Sequence, residues 1–580
     1  MNSELEIQNS EPAVPPPCPA RGRTRWTLWL AAYLVLAGVI CFGWLGATDV
    51  VSMEGIVADG ARHMGRTGDW LLPHLYGELY NYKPPMLYWL AYGAARLWGG
   101  ESEWALRFPI ALSGMLMGLT VCLLIGRIAG PAAGTYCALA ALTGALTLQK
   151  LRLAEFDVPL AAGVGVAIAA ACVNLAHGRP STALWLLGYL GLAFAFLSKG
   201  LAAPLAYVPG LVSAALLTRR VRMLVSPRHL GPAALFVVVL GLYILGVWRQ
   251  AGFAGFEQAL VEAGARGTSW KPAHALLAFA KPGLLLGVFL PWSPLLLLAI
   301  DRHWRGTLEG ARHSLVLAAW GFVLGGLVAL MAVPKGQTRY FLPLCVPVGI
   351  LAGMVAVGLT GPPHALESPG LLRWARIRGV TLRICAASAG GLALFAAVQT
   401  FVFRLPWEHR LLLAALGLLT VAAAARAWLR PVHPSPLPLL AGLCVWGWLV
   451  FVETPRRAET RSLRSVAAAF DAHLPPDATL WLDMSDDQSS LIYYLNRPAQ
   501  NFEQRRGWPP PGSYVVLFPG QAERLTASAD VRLQELERVG GLRLRDRAGT
   551  KVDELILGRV APLGHRLETG ATAETAPAAR

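Results

Sequence analysis

The sequence predicts an all-α polytopic membrane bundle followed by a small soluble α/β domain. Of its 580 residues, 55% are hydrophobic and only 15% are charged, whereas soluble domains carry about 25% charged residues. The mean hydropathy is +0.47. Apolar stretches of about 17–25 residues recur along most of the chain, each long enough to cross a hydrocarbon core roughly 30 Å thick. Only helices satisfy their own backbone in that environment.

About thirteen apolar segments are predicted to be transmembrane helices. They cover residues 27–47, 107–126, 131–148, 157–176, 181–197, 201–217, 231–249, 280–299, 313–333, 340–360, 379–403, 410–428 and 436–453. The polar, proline-rich residues 1–25 are predicted to be a disordered cytoplasmic tail, and the membrane domain spans 26–453. The first apolar run is too long for a signal-peptide core, so we expect it to be retained.

Orientation follows from the excess of arginine in alternate short loops, which marks the cytoplasmic side. These loops carry Arg21/Arg23/Arg25, Arg127, Arg219/Arg220/Arg222/Arg228, Arg302/Arg305/Arg312, Arg373/Arg376/Arg378 and Arg426/Arg430. The formal net charge of +16 is therefore explained by membrane topology, and a nucleic-acid partner is not expected. With an odd number of helices, the opposite side receives the 48–106 loop, the 250–279 loop and everything after the last helix.

Two regions on that opposite side are expected to be folded. Within the 48–106 loop, Glu54–Arg66 is predicted to be an amphipathic helix and Met86–Trp98 an apolar, aromatic one. After Glu453 the sequence becomes soluble in character, with a strand at 479–482, a helix at 489–495 and a strand at 513–518. These elements predict an α/β domain over 454–558, followed by a disordered tail over 559–580.

Ionisable residues near the membrane are concentrated on the same side. They are Asp49, Glu54, Asp59 and Lys83 of the first loop, Lys150, Arg152, Glu155 and Asp157, then Lys199, and finally Lys335 and Arg339. Each residue alone is equally well explained as marking a helix end in the headgroup region. Together they suit sugar transfer from a phosphate-linked lipid, since cations stabilise the leaving phosphate and a carboxylate orients or deprotonates the acceptor.

Several motifs carry a family resemblance. The order Glu54-Gly55, Gly68-Asp69-Trp70, Pro73-His74, Tyr82-Lys83-Pro84-Pro85 and Tyr88-Trp89-Leu90 resembles the first periplasmic loop of bacterial C-type (GT-C) glycosyltransferases. The relatives are the lipid A 4-amino-4-deoxy-L-arabinose transferases and the protein O-mannosyltransferase-like family. Further similar stretches are Arg152–Leu160, Leu197–Gly200, Leu290-Pro291-Trp292 and Pro334–Pro343. The resemblance covers roughly residues 25–360.

The resemblance implies roles for individual residues. Glu54, Asp157 and Asp49 are the candidate catalytic carboxylates, and the donor phosphate and sugar are expected at Lys83, Tyr82, Arg152, Lys199, His274, Lys335, Arg339 and Tyr340. The family usually opens with an Asp-Glu pair, but this chain has Met53-Glu54, so either Glu54 suffices or Asp49 substitutes. The family position before the lysine is often Glu and is Tyr82 here, which weakens the argument for a metal between it and His274.

The predicted function is therefore transfer of a sugar from a polyprenyl-phosphate donor to lipid A or another envelope glycolipid, at the periplasmic face of the bacterial inner membrane. The N-terminus would be cytoplasmic and the C-terminal domain periplasmic, with membrane lipids around the bundle. No metal or other cofactor is assigned, and a divalent cation stays an open alternative. A protein hydroxyl is the alternative acceptor. A membrane transporter or flippase and a non-catalytic assembly protein are the alternative classes.

Overall fold

Helices dominate the computed structural model, which describes residues 19–51, 53–264, 272–333, 337–359, 369–402, 405–429, 436–482, 488–502, 508–527, 531–542, 544–545 and 551–562. Of the predicted tails, residues 19–25 belong to the first helix and 559–562 to the last strand, and the rest lie outside these ranges. The helices up to Gly264 are α1 (Pro19–Phe42), α2 (Met53–Thr67), α3 (Met86–Leu97), α4 (Glu103–Ala129), α5 (Pro131–Leu142), α6 (Ala145–Lys150), α7 (Asp157–His177), α8 (Thr182–Lys199), α9 (Ala202–Leu217) and α10 (Pro227–Gly264).

The later helices complete the membrane region and continue into the C-terminal part. They are α11 (Pro272–Val288), α12 (Leu296–Ala299), α13 (Arg302–Gly306), α14 (Gly310–Ala332), α15 (Cys345–Gly358), α16 (Pro369–Val402), α17 (Trp407–Leu429), α18 (Leu437–Trp448), α19 (Thr454–Arg461), α20 (Arg464–Asp471), α21 (Ser489–Leu495) and α22 (Pro519–Thr526). Short 3₁₀ segments occur at Val221–Met223, Ser293–Leu295 and Thr338–Leu344, and a π-helical turn at Leu449–Glu453.

The predicted membrane segments are all found as helices, but they differ in length. In the described ranges, 10 helices are long and apolar enough to cross a membrane, and the pair Leu277–Val288 and Ser293–Ala299 would be one further span bent by 113°. Pro131–Leu142 and Ala202–Leu217 are shorter apolar helices. Of the about thirteen predicted helices, ten or eleven are therefore long enough to be full spans, judged by length and composition over the described residues. Breaks account for the difference: at Gly130, for example, φ is 97°, a backbone conformation that ends α4 before Pro131 begins α5.

The first long loop contains the two helices predicted for it. Here α2 and α3 pack against each other, because Gly60 and Gly65 of α2 leave room for the rings of Tyr88 and Tyr92. Between these helices, β1 (His74–Leu75) and β2 (Glu78–Leu79) form an antiparallel hairpin. The hairpin leads directly into the segment 81–84, which reaches the membrane bundle.

The C-terminal part is built on a mixed five-stranded sheet. Its strands are β3 (Leu480–Leu482), β4 (Ala499–Asn501), β5 (Tyr514–Leu517), β6 (Val531–Val539) and β9 (Leu555–Pro562), in the order β4-β3-β5-β9-β6, while β7 (Leu544–Arg545) pairs with β8 (Lys551–Val552). β3 runs parallel to β4 and β5, and β9 is antiparallel to β5 and β6. Side chains alternate between faces: Val516 packs with α20 and α21, and Val515 with α22.

Candidate active site

A cavity of ≈ 250 Å³ opens between the first long loop and the membrane helices. The segment 81–84 forms part of its wall together with the start of α7, the end of α8, and residues of α9, α10 and α14. Most of its lining is aliphatic or aromatic, and its charged lining residues are Lys83, Asp157, Lys199 and Arg339. The cavity thus combines an apolar wall with a small group of charges.

Asp157 is the carboxylate of this group. Its Oδ1 accepts a hydrogen bond from the ammonium of Lys199, and its Oδ2 lies 3.8 Å from Nη1 of Arg339. Asp157 is the first residue of α7 and Lys199 the last of α8. The start of α7 also favours a negative charge because of the helix dipole. Two cations therefore face one carboxylate in a setting largely removed from solvent.

Close packing of α7 and α8 brings these two residues together. A Cβ at Gly163 would overlap the carbonyl oxygen of Gly191, so glycine at position 163 allows the two backbones to touch. α8 then ends at Gly200, whose φ is 63°. The antiparallel pairing of the two helices places the last residue of α8 beside the first residue of α7.

Arg339 and Tyr340 lie on the 3₁₀ segment Thr338–Leu344, which packs against α7. The ammonium of Lys199 lies 5.9 Å from the centroid of the Tyr340 ring, within the range of a cation–π contact. This segment therefore contributes both a second cation and an aromatic face to the wall of the cavity.

Lys83 and Tyr82 reach the cavity from the first loop, and Lys83 is 7% exposed. The preceding residue fixes their position. Asn81 donates its backbone N–H to Oε1 of Gln258 (2.8 Å) and its Nδ2 to the carbonyl oxygen of Gly255 (2.9 Å), and its Oδ1 accepts from the Tyr243 hydroxyl (3.0 Å). These hydrogen bonds anchor the loop to α10. The sequence analysis did not identify Asn81, Tyr243 and Gln258, because they are neutral and far apart in the chain.

Glu54 lies outside this cavity. Its carboxylate accepts from Nε and Nη2 of Arg107 (2.7 and 2.8 Å) and from the backbone N–H groups of Val51 (3.1 Å) and Ala154 (2.8 Å). The two side chains are 1% and 2% exposed. Arg107 also donates to the carbonyl oxygens of Leu45, Thr48 and Asp49. The pair therefore joins α2, α4 and the turn before Asp157.

Asp49 and Arg152 also lie away from the cavity lining. Asp49 accepts from the Ser462 hydroxyl at 2.6 Å and lies 3.2 Å from Nε of Arg464. Arg152 donates to the carbonyl oxygens of Gly43 and Trp44, and burial lowers its pKa to about 10.

The structure thus brings Lys83, Tyr82, Asp157, Lys199, Arg339 and Tyr340 together, and places Glu54, Asp49 and Arg152 elsewhere. Lys335 and the side chain of His274 fall outside the described part of the chain.

A second ion pair lies on the approach to Asp157. Lys150 ends α6 and contacts Oε2 of Glu155 at 2.5 Å, with both side chains mostly buried. Burial raises the pKa of the Glu155 carboxyl above its ordinary value, while the Lys150 ammonium opposes that shift. Over the described ranges, His, Cys, Asp and Glu side chains form no group of three or more suited to a metal ion.

Lys281 is a buried cation that sequence analysis missed. Its Nζ donates to the carbonyl oxygens of Leu330 (2.5 Å) and Val333 (2.6 Å), at the C-terminal end of α14. A positive charge is favourable there because the last carbonyl groups of a helix carry partial negative charge. Leu330 and Val333 line the cavity, so this lysine fixes part of its wall. The sequence feature that could have identified Lys281 is its position as a lysine inside the apolar segment 280–299.

Comparisons with known proteins agree with this architecture. Residues 82–245 match the family model described as dolichyl-phosphate-mannose-protein mannosyltransferase. The chain is 26% identical over 522 residues to the undecaprenyl phosphate-alpha-4-amino-4-deoxy-L-arabinose arabinosyl transferase of Pseudomonas aeruginosa strain UCBPP-PA14, covering 87% of this chain and 90% of the relative. The corresponding transferase 1 of Sodalis glossinidius is 28% identical over 461 residues, covering 76% and 73%.

A solved structure shows the same fold. The chain superposes on ArnT from Cupriavidus metallidurans bound to undecaprenyl phosphate with a TM-score of 0.68, 22% identity, and coverage of 92% of this chain and 98% of that one. The apo form of the same protein gives a TM-score of 0.67 at 20% identity, with the same coverage. The predicted class, an all-α membrane bundle with a small C-terminal α/β domain, is confirmed by this likeness.

Proposed function

Since the chain belongs to the C-type membrane glycosyltransferases that use lipid-linked sugar phosphates, we propose that its cavity holds a polyprenyl-phosphate sugar and passes the sugar to an envelope acceptor. The observation that carries this proposal is the position of Asp157 between Lys199 and Arg339 in a cavity that Lys83 also lines. Three cations suit a phosphate, and one carboxylate suits an acceptor hydroxyl.

The chemistry follows from the charges. The donor phosphodiester carries one negative charge, and breaking its bond to the sugar leaves a polyprenyl phosphate with a second one. Lys83, Lys199 and Arg339 stabilise that developing charge in a site shielded from water. The acceptor oxygen forms the new bond to the sugar carbon, and Asp157 orients its hydroxyl or accepts its proton. Tyr82 and Tyr340 provide aromatic surfaces beside the donor.

The apolar wall suits the prenyl chain of the donor. Leu205 of α9, Leu240 and Val247 of α10 and Leu330 of α14 line the cavity next to the charged group. Each buried methylene of a lipid contributes about 0.8 kcal/mol, so even a few isoprene units add substantially to binding. The undecaprenyl phosphate bound by the Cupriavidus metallidurans protein supports the same class of donor.

The proposed acceptor is lipid A or another envelope glycolipid. The relatives named as arabinosyl transferases support this choice, because they match most of the chain. A protein hydroxyl is the second candidate, favoured by the description of the family model that matches residues 82–245. The arginine-rich alternate loops support a location in the bacterial inner membrane with the cavity and the C-terminal domain on the periplasmic side.

The acceptor is tested by feeding membranes that contain the protein with a panel of radiolabelled polyprenyl-phosphate sugars. The label is then followed into separated lipid A, other glycolipid and protein fractions. We expect label in a glycolipid fraction, and expect membranes carrying Lys83→Ala to lose it. Label found only in the protein fraction would replace the glycolipid acceptor by the protein hydroxyl.

A further inference from the structure

The C-terminal domain and the first long loop share a hydrophobic core. Ile56 of α2, Leu75 of β1 and Tyr76 of the hairpin turn are buried in the cluster that includes Phe470 of α20 and Leu491 of α21. None of the three loop residues is more than 2% exposed. The loop therefore supplies part of the core of the C-terminal domain, and the two do not pack as separate bodies.

Close backbone contact reinforces this shared core. A Cβ added at Gly55 would overlap the backbone of Ser489 and Ser490, the first residues of α21. Only glycine permits α2 and α21 to approach this closely. The position of α2 is thus determined in part by a helix more than 400 residues later in the chain.

Polar contacts fix the register of the two parts. The Tyr494 hydroxyl accepts the backbone N–H of Val50 at 2.6 Å. Arg62 of α2 donates to the carbonyl oxygens of Ile492 (3.1 Å) and Tyr493 (2.9 Å) at the end of α21. These contacts, with those of Asp49 to Ser462 and Arg464, leave the loop little freedom to slide over the domain.

One contact lies near the donor-binding segment in sequence. Asn501, on the edge strand β4, donates from its Nδ2 to Oε2 of Glu78 on β2 at 2.9 Å. The next residue, Leu79, accepts a hydrogen bond from Gln258 of α10, and Lys83 follows four positions later. An extended chain advances only about 3.3–3.6 Å per residue, so Glu78 is close enough along the chain for its position to influence that of Lys83.

We propose that the C-terminal domain positions the donor-binding segment 81–84, and that Glu78 and Asn501 are positioning residues of this contact. The inference depends on the proposed donor site, because it concerns how Lys83 is held there. The domain then sets the affinity for the lipid-linked sugar without any of its residues touching that substrate.

Exchange of the two polar groups tests the contact. Asn501→Asp places two carboxylates face to face and should raise the donor KM about tenfold, which corresponds to roughly 1.4 kcal/mol. The acceptor KM and the thermal midpoint in detergent should change little. Glu78→Gln keeps an oxygen acceptor for Asn501 and should raise the donor KM less than Asn501→Asp does. The double variant Asn501→Asp/Glu78→Gln restores the hydrogen bond with donor and acceptor reversed, and should return the donor KM to within about twofold of wild type.

Arg538→Ala serves as a matched control, because Arg538 pairs with Glu535 and Glu554 within the same domain, away from the loop. A general loosening of the domain would affect this control and the test variant alike. An unchanged donor KM in Asn501→Asp, or a folded double variant without recovery, overturns the inference. If Asn501→Asp does not fold, Asn501→Ala carries the same test, because it removes the hydrogen-bond donor to Glu78 without adding a charge and should also raise the donor KM. If Lys83→Ala loses donor binding and Asn501→Asp does not, the proposed donor site stands and only the role of the domain is rejected.

Discussion

The ammonium of Lys199 and the carboxylate of Asp157 form an ion pair in the cavity wall, with 7% and 4% of their side chains exposed. The residues end α8 and begin α7, so the pair joins the two helices where the first loop covers them. Taking two charges out of water is costly unless they compensate each other. We therefore expect removal of either charge to affect both folding and transfer, and removal of both to separate the two effects.

Lys199→Met leaves Asp157 with Arg339 at 3.8 Å as its remaining ion pair in the described structure. Breaking a buried pair from one side costs about 3–5 kcal/mol, whereas replacing both members with apolar side chains is often neutral. The single variant should lower the thermal midpoint and the transfer rate. Lys199→Met/Asp157→Leu should recover the midpoint but not the rate. Recovery of both would assign the pair a purely structural role.

Lys83→Ala should abolish transfer by removing the first-loop cation from the donor phosphate. The amount of folded protein should stay near wild type, since Asn81 still anchors the segment to α10. Arg96→Ala is the matched control, because Arg96 is an exposed cation on α3 of the same loop. Donor titrations with each variant decide the point. Near-normal turnover of Lys83→Ala at all donor concentrations would move phosphate binding to Arg339.

Glu54→Gln should destabilise the protein as well as lower its activity. The neutral amide leaves the guanidinium of Arg107 buried without a charged partner, a change of about 3–5 kcal/mol. A Glu54 that acted only as a catalytic group would lose transfer while keeping its thermal midpoint. Midpoints in detergent, measured beside transfer rates, distinguish these cases. Met53→Asp, at the position where the family usually has aspartate, is a useful companion variant and would raise the rate if that carboxylate contributes directly.

Topology can be tested with single cysteines. Arg66→Cys on α2 and Arg524→Cys on α22 should react with an impermeant reagent from the periplasmic side, and Arg222→Cys should not. All three positions are exposed. The seven native cysteines in the described ranges are buried, so Cys18→Ser completes a suitable background. Labelling of position 222 without positions 66 and 524 would invert the proposed orientation.

Hydropathy was sufficient to locate the membrane helices, because each must satisfy its backbone hydrogen bonds within one continuous apolar segment. It could not show that the segment 280–299 bends, or that Pro131–Leu142 is short. The charged residues near Asp157 were also found, since ionisable groups are rare at membrane depth. The role of Asp49 could not be predicted, because its partners Ser462 and Arg464 lie more than 400 positions away.

The most direct measurement is the transfer rate of purified protein in liposomes, with labelled polyprenyl-phosphate sugars and a lipid A acceptor, for wild type and Asp157→Asn. A positioned acid–base group is typically worth about 10²–10⁴-fold in rate, so the variant should be slower by that factor per molecule of folded, inserted protein. Glu408→Gln is the control for a carboxylate that only lies in the first turn of a helix, as Glu408 does in α17. Equal rates for wild type and Asp157→Asn, or no transfer by wild type from any donor, would contradict the account.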